Sequence, residues 1–94
     1  MPYIHITHAP GAGLTEYRAV VEALGPEPVT GNLLHIVGES DGVLHVVDVW
    51  DSSVSADRYA AERLFPAFEK AGVRLGPDTR WEVFDTEIIR GTMD

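Results

Sequence analysis

The chain has 94 residues and no cysteine, and its fifteen acidic side chains against seven lysines and arginines give a formal net charge of −8. This length allows one domain, and the lack of cysteine excludes disulfides, thiolate catalysis and cysteine-ligated metals. The negative charge, with no basic cluster, argues against nucleic acid and anionic membranes as partners. No apolar run reaches the roughly 20 residues of a membrane span, and no secretion signal is visible. We therefore expect a soluble, cytoplasmic protein with one domain over residues 1–94, of which 90–94 form a polar tail.

The first third of the chain predicts a strand followed by a helix. Residues 3–8 are mostly β-branched or aromatic and precede a Pro-Gly pair, which is typical of a strand that ends in a turn. Thr15 is a candidate N-cap for a helix whose apolar residues recur at helical spacing, and Gly25 marks its end. Residues 25–32 are rich in Gly and Pro and predict an irregular connector.

A hairpin is predicted in the middle of the chain. Two apolar runs, at 33–39 and 43–50, flank Asp41-Gly42, and an Asp-Gly pair between such runs is the strongest short signal for a tight turn.

A second helix and a last strand follow the hairpin. Polar residues at 51–53 supply caps for a helix that runs to about Ala71, with a kink expected at 62–66 because Pro66 lacks a backbone donor. The predicted buried stripe of this helix holds Ala61, Leu64, Phe65 and Phe68. Residues 80–89 predict the last strand. The order β-α-β-β-α-β is that of a ferredoxin-like α+β fold, with a four-stranded antiparallel sheet and both helices on one face.

Both faces of the predicted hairpin are apolar, although two helices can cover only one. Alternate residues of a strand point to opposite faces of the sheet. On the first strand of the hairpin, one face receives Leu34 and Ile36 and the other receives Leu33 and Val37. On the second strand, one face receives Val43, Val47 and Val49 and the other receives Leu44, Val46 and Trp50. Burial of each large side chain is worth roughly 1.5–3 kcal/mol. We therefore expect a second copy of the chain to cover the free face, giving a homodimer.

Two segments carry a resemblance to a known family. The run Val46-Val47-Asp48-Val49-Trp50-Asp51-Ser52 and the run Glu62-Arg63-Leu64-Phe65-Pro66-Ala67-Phe68, in this order of elements, resemble the dimeric α/β-barrel superfamily and its antibiotic-biosynthesis-monooxygenase-like branch. The resemblance implies a dimeric α/β barrel with a pocket between sheet and helices, lined by Trp50. Similar proteins include cofactor-independent oxygenases of polyketide anthrones, haem-degrading enzymes and small isomerases.

The chain departs from these relatives at their polar residues. The anthrone oxygenases have an Asn four residues before the Trp, where this chain has Val46. The haem-degrading branch uses an Asn on the first strand and a His in the second helix, and the second helix predicted here contains no His. The resemblance thus favours oxygenase chemistry with other polar partners over haem degradation.

The register of the hairpin decides which polar residues meet. If Asp41-Gly42 is a two-residue turn, His35 lies opposite Asp48, on one face with Trp50, Val37 and Val46. A carboxylate that orients an imidazole is the pairing a general base needs, although the same pair also occurs as a satisfied buried contact. If the turn carries a bulge, His35 shares a face with His45 instead.

The other candidate residues are predicted to contact the substrate or to have a structural role. Tyr59 and His8 join Trp50, Val37 and Val46 as predicted substrate-binding residues, and His5 and His45 are interpreted as structural or surface residues. His5 and His8 point to opposite faces of their strand and cannot chelate one ion together, and a His-only site would need His35 and His45 to converge across the hairpin. Because no ligand motif of recognisable spacing is present, we expect no metal site. The resemblance to cofactor-independent oxygenases implies that no cofactor is bound.

These residues predict a homodimeric, monooxygenase-like enzyme that acts on an apolar aromatic or polyketide-type molecule. His35, oriented by Asp48, would abstract a proton as catalytic base. The alternatives are an isomerase or cyclase of the same fold, and a dimer that binds a small molecule without catalysis.

Overall fold

Four antiparallel strands form one sheet in the spatial order β2-β3-β1-β4. The computed structural model describes residues 1–87. The strands are β1 (Tyr3–Pro10), β2 (Asn32–Ser40), β3 (Val43–Trp50) and β4 (Arg80–Asp85); the helices are α1 (Leu14–Leu24), α2 (Ser53–Tyr59) and α3 (Phe65–Ala71), with a π turn (Ala60–Leu64) between α2 and α3. The predicted β-α-β-β-α-β order and ferredoxin-like fold are confirmed. The end of the predicted last strand, at 88–89, and the tail at 90–94 lie outside the described residues.

The hairpin between β2 and β3 has a two-residue turn. Asp41 and Gly42 both have positive φ, of 52° and 76°, which a tight hairpin of this kind requires and which Gly adopts at no steric cost. Ser40 therefore pairs with Val43. This is the register that the Asp-Gly pair predicts, and it fixes which side chains of β2 and β3 share a face.

The first helix begins earlier than predicted. Its N-cap is Gly13 rather than Thr15, so the predicted cap is wrong. The Gly13 N–H donates to Glu16 Oε1 at 3.0 Å, and a carboxylate in the first turn also suits the positive end of the helix. The side chain of Glu16 therefore satisfies the backbone N–H of the N-cap residue itself.

Pro66 interrupts the second helical stretch, as predicted. In the π turn, the Phe65 N–H bonds to the Ala60 carbonyl, five residues earlier. Pro66 follows near the start of α3, where its missing N–H cannot bond to Glu62. The wider turn accommodates the proline ring without ending the helix.

The extra residue in the π turn changes which side chains are buried. Phe65, predicted to be buried, is 62% exposed, whereas Ala67 is 3% exposed. One added residue rotates the following turn by about 100° relative to a continuous α-helix. The predicted stripe is therefore wrong at Ala61 and Phe65, which are exposed, whereas Leu64 and Phe68 are half-buried.

The two faces of the sheet differ in their cover. On the helix-covered face, Ala9, Ala12 and Leu44 form a buried cluster with the partly buried residues Leu14, Tyr17, Val37, Val46 and Leu75. The other face, called the open face below, carries apolar side chains in register, namely Ile4, Ile6, Leu34, Ile36, Val47, Val49 and Phe84. Ile36 is 51% exposed and Phe84 is 44% exposed, so this apolar surface remains accessible within the described part of the chain.

None of the helices in residues 1–87 combines the length and apolar character needed to cross a membrane.

Gly31 is the residue whose replacement should most disturb the packing between sheet and helices. Its φ is 87°, its carbonyl accepts the Asp51 N–H at 2.9 Å, and an added Cβ would lie 2.6 Å from the Ser55 Cβ. We expect Gly31→Ala to lower the free energy of unfolding by about 2–4 kcal/mol, measured by urea denaturation, because backbone strain and overpacking add. Gly38→Ala is the control, since a Cβ there meets nothing within 4 Å; equal losses would contradict the steric explanation.

Candidate functional site

Asp48 accepts two side-chain hydrogen bonds from β2. His35 Nδ1 lies 2.6 Å from Asp48 Oδ1, and Asn32 Nδ2 donates to the same oxygen at 3.2 Å. A carboxylate oxygen can only accept, so Nδ1 carries the proton. The two-residue turn places His35 directly opposite Asp48, and a bulge between Asn32 and Leu34 turns the Asn32 amide toward the same carboxylate.

The second nitrogen of His35 meets a tyrosine from α1. Tyr17 Oη lies 2.8 Å from His35 Nε2, and the two rings stack with centroids 5.8 Å apart. When His35 is neutral, Nε2 accepts the phenol proton; when it is charged, Nε2–H donates to Tyr17 Oη. Tyr17, His35 and Asp48 therefore form a continuous hydrogen-bonded chain, called the relay below.

Asp48 controls the protonation of this chain. The short hydrogen bond from His35 to Asp48 raises the pKa of His35 above its ordinary value of 6.5, with a further contribution from the charge of Asp48, while burial of the ring opposes the rise. Burial, and then the Asp48 charge, raises the pKa of Tyr17. Tyr17 is thus kept as a neutral phenol while His35 readily holds a second proton.

The raised pKa of His35, and its dependence on Asp48, can be measured directly. We expect the pKa of His35, followed by NMR of its ring protons, to lie above 6.5 and to fall in Asp48→Asn, because the neutral amide removes both the charge and the strong acceptor. A His35 pKa that does not fall in Asp48→Asn would contradict the assigned cause.

Two aromatic rings form a wall beside the relay. Trp50 is 3% exposed, and its ring centroid lies 5.2 Å from that of Tyr59 on α2. Burial, together with the nearby charge of Asp48, raises the pKa of Tyr59 to about 12. Tyr59 is therefore a neutral phenol that offers an apolar ring and one hydroxyl, as a residue in contact with an aromatic molecule requires.

The imidazole itself remains accessible. The His35 side chain is 40% exposed, whereas that of Asp48 is 16% exposed. Val37 and Val46 pair across the strands next to them on the same face. The structure thus brings together six of the seven predicted site residues: His35, Asp48, Trp50, Val37, Val46 and Tyr59.

His8 is the exception and corrects the predicted site. It pairs with His45 on the open face, because alternation along β1 turns it away from the relay. His5, interpreted from the sequence as a structural or surface residue, lies on the helix-covered face opposite Asp48.

Sequence reasoning missed Tyr17 and Asn32. Tyr17 was hidden in the apolar stripe of α1, and Asn32 was counted in the connector, although it is the first residue of β2. The helical spacing that buries Tyr17 also directs it onto the sheet, which was the available signal for that residue. No sequence pattern indicated Asn32, because the alternation of apolar and polar residues along a strand does not show where a β-bulge lies.

Within residues 1–87, no three His, Cys, Asp or Glu side chains are grouped so that they could hold a metal ion. The relay offers one imidazole beside one carboxylate, a pair that can take up and release a proton.

Comparison with solved structures identifies the fold. Rv0793 from Mycobacterium tuberculosis aligns with a TM-score of 0.73 and 15% identity, over 97% of this chain and 100% of that one. The cofactor-independent oxygenase SnoaB from Streptomyces nogalater aligns with a TM-score of 0.68 and 10% identity, over 94% and 95%. A putative antibiotic biosynthesis monooxygenase from Deinococcus radiodurans aligns with a TM-score of 0.64 and 18% identity, over the whole of both chains. No family model and no curated protein sequence matches the chain.

These alignments confirm the expected fold. The similar structures are ferredoxin-like proteins of the antibiotic-biosynthesis-monooxygenase type, and they match this chain over nearly its full length. At this level of identity the likeness concerns the fold, and activity has to be argued from the site.

Proposed function

We propose that the chain is a cofactor-independent oxygenase that acts, as a homodimer, on an apolar aromatic or polyketide-type molecule with an acidic C–H or O–H bond. The observation that carries the proposal is the relay, with His35 bonded to Asp48 at 2.6 Å and to Tyr17 at 2.8 Å. The fold shared with an oxygenase named as cofactor-independent supports it.

The relay provides a base for the first step. As the substrate proton passes to Tyr17 Oη, the phenol proton passes to His35 Nε2, and Asp48 stabilises the imidazolium that forms. Asn32 holds the same carboxylate oxygen and keeps it aimed at His35. The substrate is left as a carbanion or enolate beside the ring of Tyr59, which packs against Trp50.

Molecular oxygen is the second reactant. For a ring CH₂ group, the carbanion forms a C–O bond with O₂, and the relay returns its proton to the outer peroxide oxygen. Removal of the remaining C–H proton then breaks the O–O bond, so that hydroxide leaves and takes up that proton as water. The sum is R₂CH₂ + O₂ → R₂C=O + H₂O, in which the substrate supplies all four electrons that O₂ accepts.

An isomerase or cyclase is the second candidate. It is favoured by Val46, which stands where the resemblance to anthrone oxygenases would place an Asn. In this case the same relay removes a proton and returns it to another carbon, and no oxygen is consumed.

The homodimer is proposed from the open face. Its in-register apolar residues include Ile36 and Phe84, which are about half exposed in one chain, and contiguous apolar surface of this kind marks an interaction site. A second copy is the partner that offers the same surface, and a two-fold axis would pair the two patches.

Oxygen consumption tests the reaction class. We expect the protein to consume one O₂ for each molecule of an anthrone-type CH₂ acid and to place one atom of ¹⁸O₂ in the new carbonyl group. Turnover of the substrate at the same rate under argon would favour the isomerase. Saturable binding without turnover in air or argon, across a series of such acids, would contradict catalysis.

A further inference from the structure

A second pair of side chains outside the relay has an arrangement suited to a ligand. His8 on β1 and His45 on β3 are opposite each other on the open face, with Nδ1 atoms 3.0 Å apart. The rings meet edge to face, with an interplanar angle of 84° and centroids 5.1 Å apart. One Nδ1 donates to the other in this contact, and a single cation that takes the place of the shared proton is within reach of both nitrogens.

The pair lies in a groove that a small ion can reach. The groove has a volume of about 560 Å³ and is also lined by Pro77, Asp78 and Arg80 from the segment that leads into β4. Asp78 brings a carboxylate and Arg80 a guanidinium, so their charges offset each other near the two imidazoles. The groove lies on the opposite side of the sheet from the relay.

We propose that His8 and His45 bind one divalent transition-metal ion through their Nδ1 atoms. Imidazole ligands lie about 2.0–2.1 Å from such an ion, so a nitrogen separation of 3.0 Å corresponds to an angle at the metal of about 91–97°. This angle suits square-planar or octahedral ions and is narrow for a tetrahedral one. The site therefore favours Cu²⁺ and Ni²⁺ over Zn²⁺.

Water completes the coordination shell. In the described part of the chain, no group of three His, Cys, Asp or Glu residues converges on one point, so the remaining positions open into the groove. Neutral imidazoles bind metal and protonated ones do not, so affinity falls as the pH is lowered. Asp78 and the rest of the groove influence the ion through charge.

Titration of the purified, untagged protein with metal salts tests the site. We expect calorimetry with CuSO₄, NiCl₂ and ZnCl₂ to give one ion per chain and affinity in the order Cu²⁺, Ni²⁺, Zn²⁺. His8→Ala and His45→Ala should each weaken Ni²⁺ binding by at least about tenfold, because the second imidazole binds at high effective concentration. His5→Ala is the control, since it removes a histidine of the same strand from the other face.

NMR of the unaltered protein gives a second measurement that does not depend on whether a variant folds. Substoichiometric Cu²⁺ should broaden the ring signals of His8 and His45 before those of His5 and His35. The proposal would be overturned if His5→Ala lost as much Ni²⁺ affinity as His8→Ala and His45→Ala. It would also be overturned if the ring signals of His35 broadened first, or if Zn²⁺ bound more tightly than Ni²⁺. The proposed proton relay is unaffected by these outcomes, because His8 and His45 lie on the opposite face of the sheet from His35.

Discussion

Replacing His35 with alanine should reduce turnover by about 10²–10⁴-fold, the usual contribution of a general base, while the fold remains intact. The His35 side chain is 40% exposed and lies outside the buried cluster of Ala9, Ala12 and Leu44, so its loss removes the proton acceptor and leaves that cluster in place. The measurement is kcat from oxygen consumption with a CH₂-acid substrate, together with circular dichroism to confirm the fold. The matched control is His8→Ala, which removes an imidazole from the other face and should leave kcat unchanged.

Tyr17→Phe separates the relay from a simpler arrangement. If protons pass through the phenol, the variant loses kcat by a factor similar to that of His35→Ala, with a smaller change in KM. If Tyr17 only occupies Nε2 until substrate displaces it, the variant frees the base and kcat rises, which would contradict the relay.

In the unaltered protein, turnover should also rise with pH through the elevated pKa of His35, because the neutral imidazole is the form that accepts a proton.

The parts of the site that could be predicted follow from local chemistry. Asp41-Gly42 determines a two-residue turn, the turn determines the register, and the register places His35 opposite Asp48. Each step depends on residues close in sequence, where φ preferences and strand alternation operate. The fold was predictable for the same reason, since each strand and helix carries its own pattern and ending signals.

The parts that could not be predicted depend on irregularities. The bulge after Asn32 breaks the alternation of β2, and the π turn before Phe65 breaks the helical period, so side chains beyond each point occupy positions that simple counting assigns elsewhere. The His8–His45 contact joins residues 37 positions apart and arises from the pairing of β1 with β3. Long-range pairing of this kind leaves no mark on the spacing of the residues it unites.

The position of the connector also depends on a long-range contact. The Arg63 guanidinium donates to the carbonyl groups of Pro28, Leu24 and Glu27 at 2.8, 3.4 and 3.1 Å. These bonds satisfy acceptors at the end of α1 and tie the segment before Asn32 to the second helical stretch. Arg63 thereby helps to position the start of β2, and with it the amide of Asn32 that holds Asp48.

Ile36→Asp should convert the proposed homodimer into a monomer. Ile36 is 51% exposed at the open face, and a two-fold interface there would bury one new carboxylate from each copy, at a cost of several kcal/mol per unpaired ion. Sedimentation analysis at micromolar concentration measures the change in mass. Val54→Asp is the control, because Val54 is 63% exposed but lies on α2, in the helical layer, and its replacement should leave the dimer intact. An unaltered protein that sediments as a monomer, or a Val54→Asp variant that dissociates equally, would contradict the proposed interface.

Because Tyr17, His35 and Asp48 all belong to one chain, the monomeric variant should retain the raised pKa of His35. Any activity that this variant loses can then be assigned to the missing second copy.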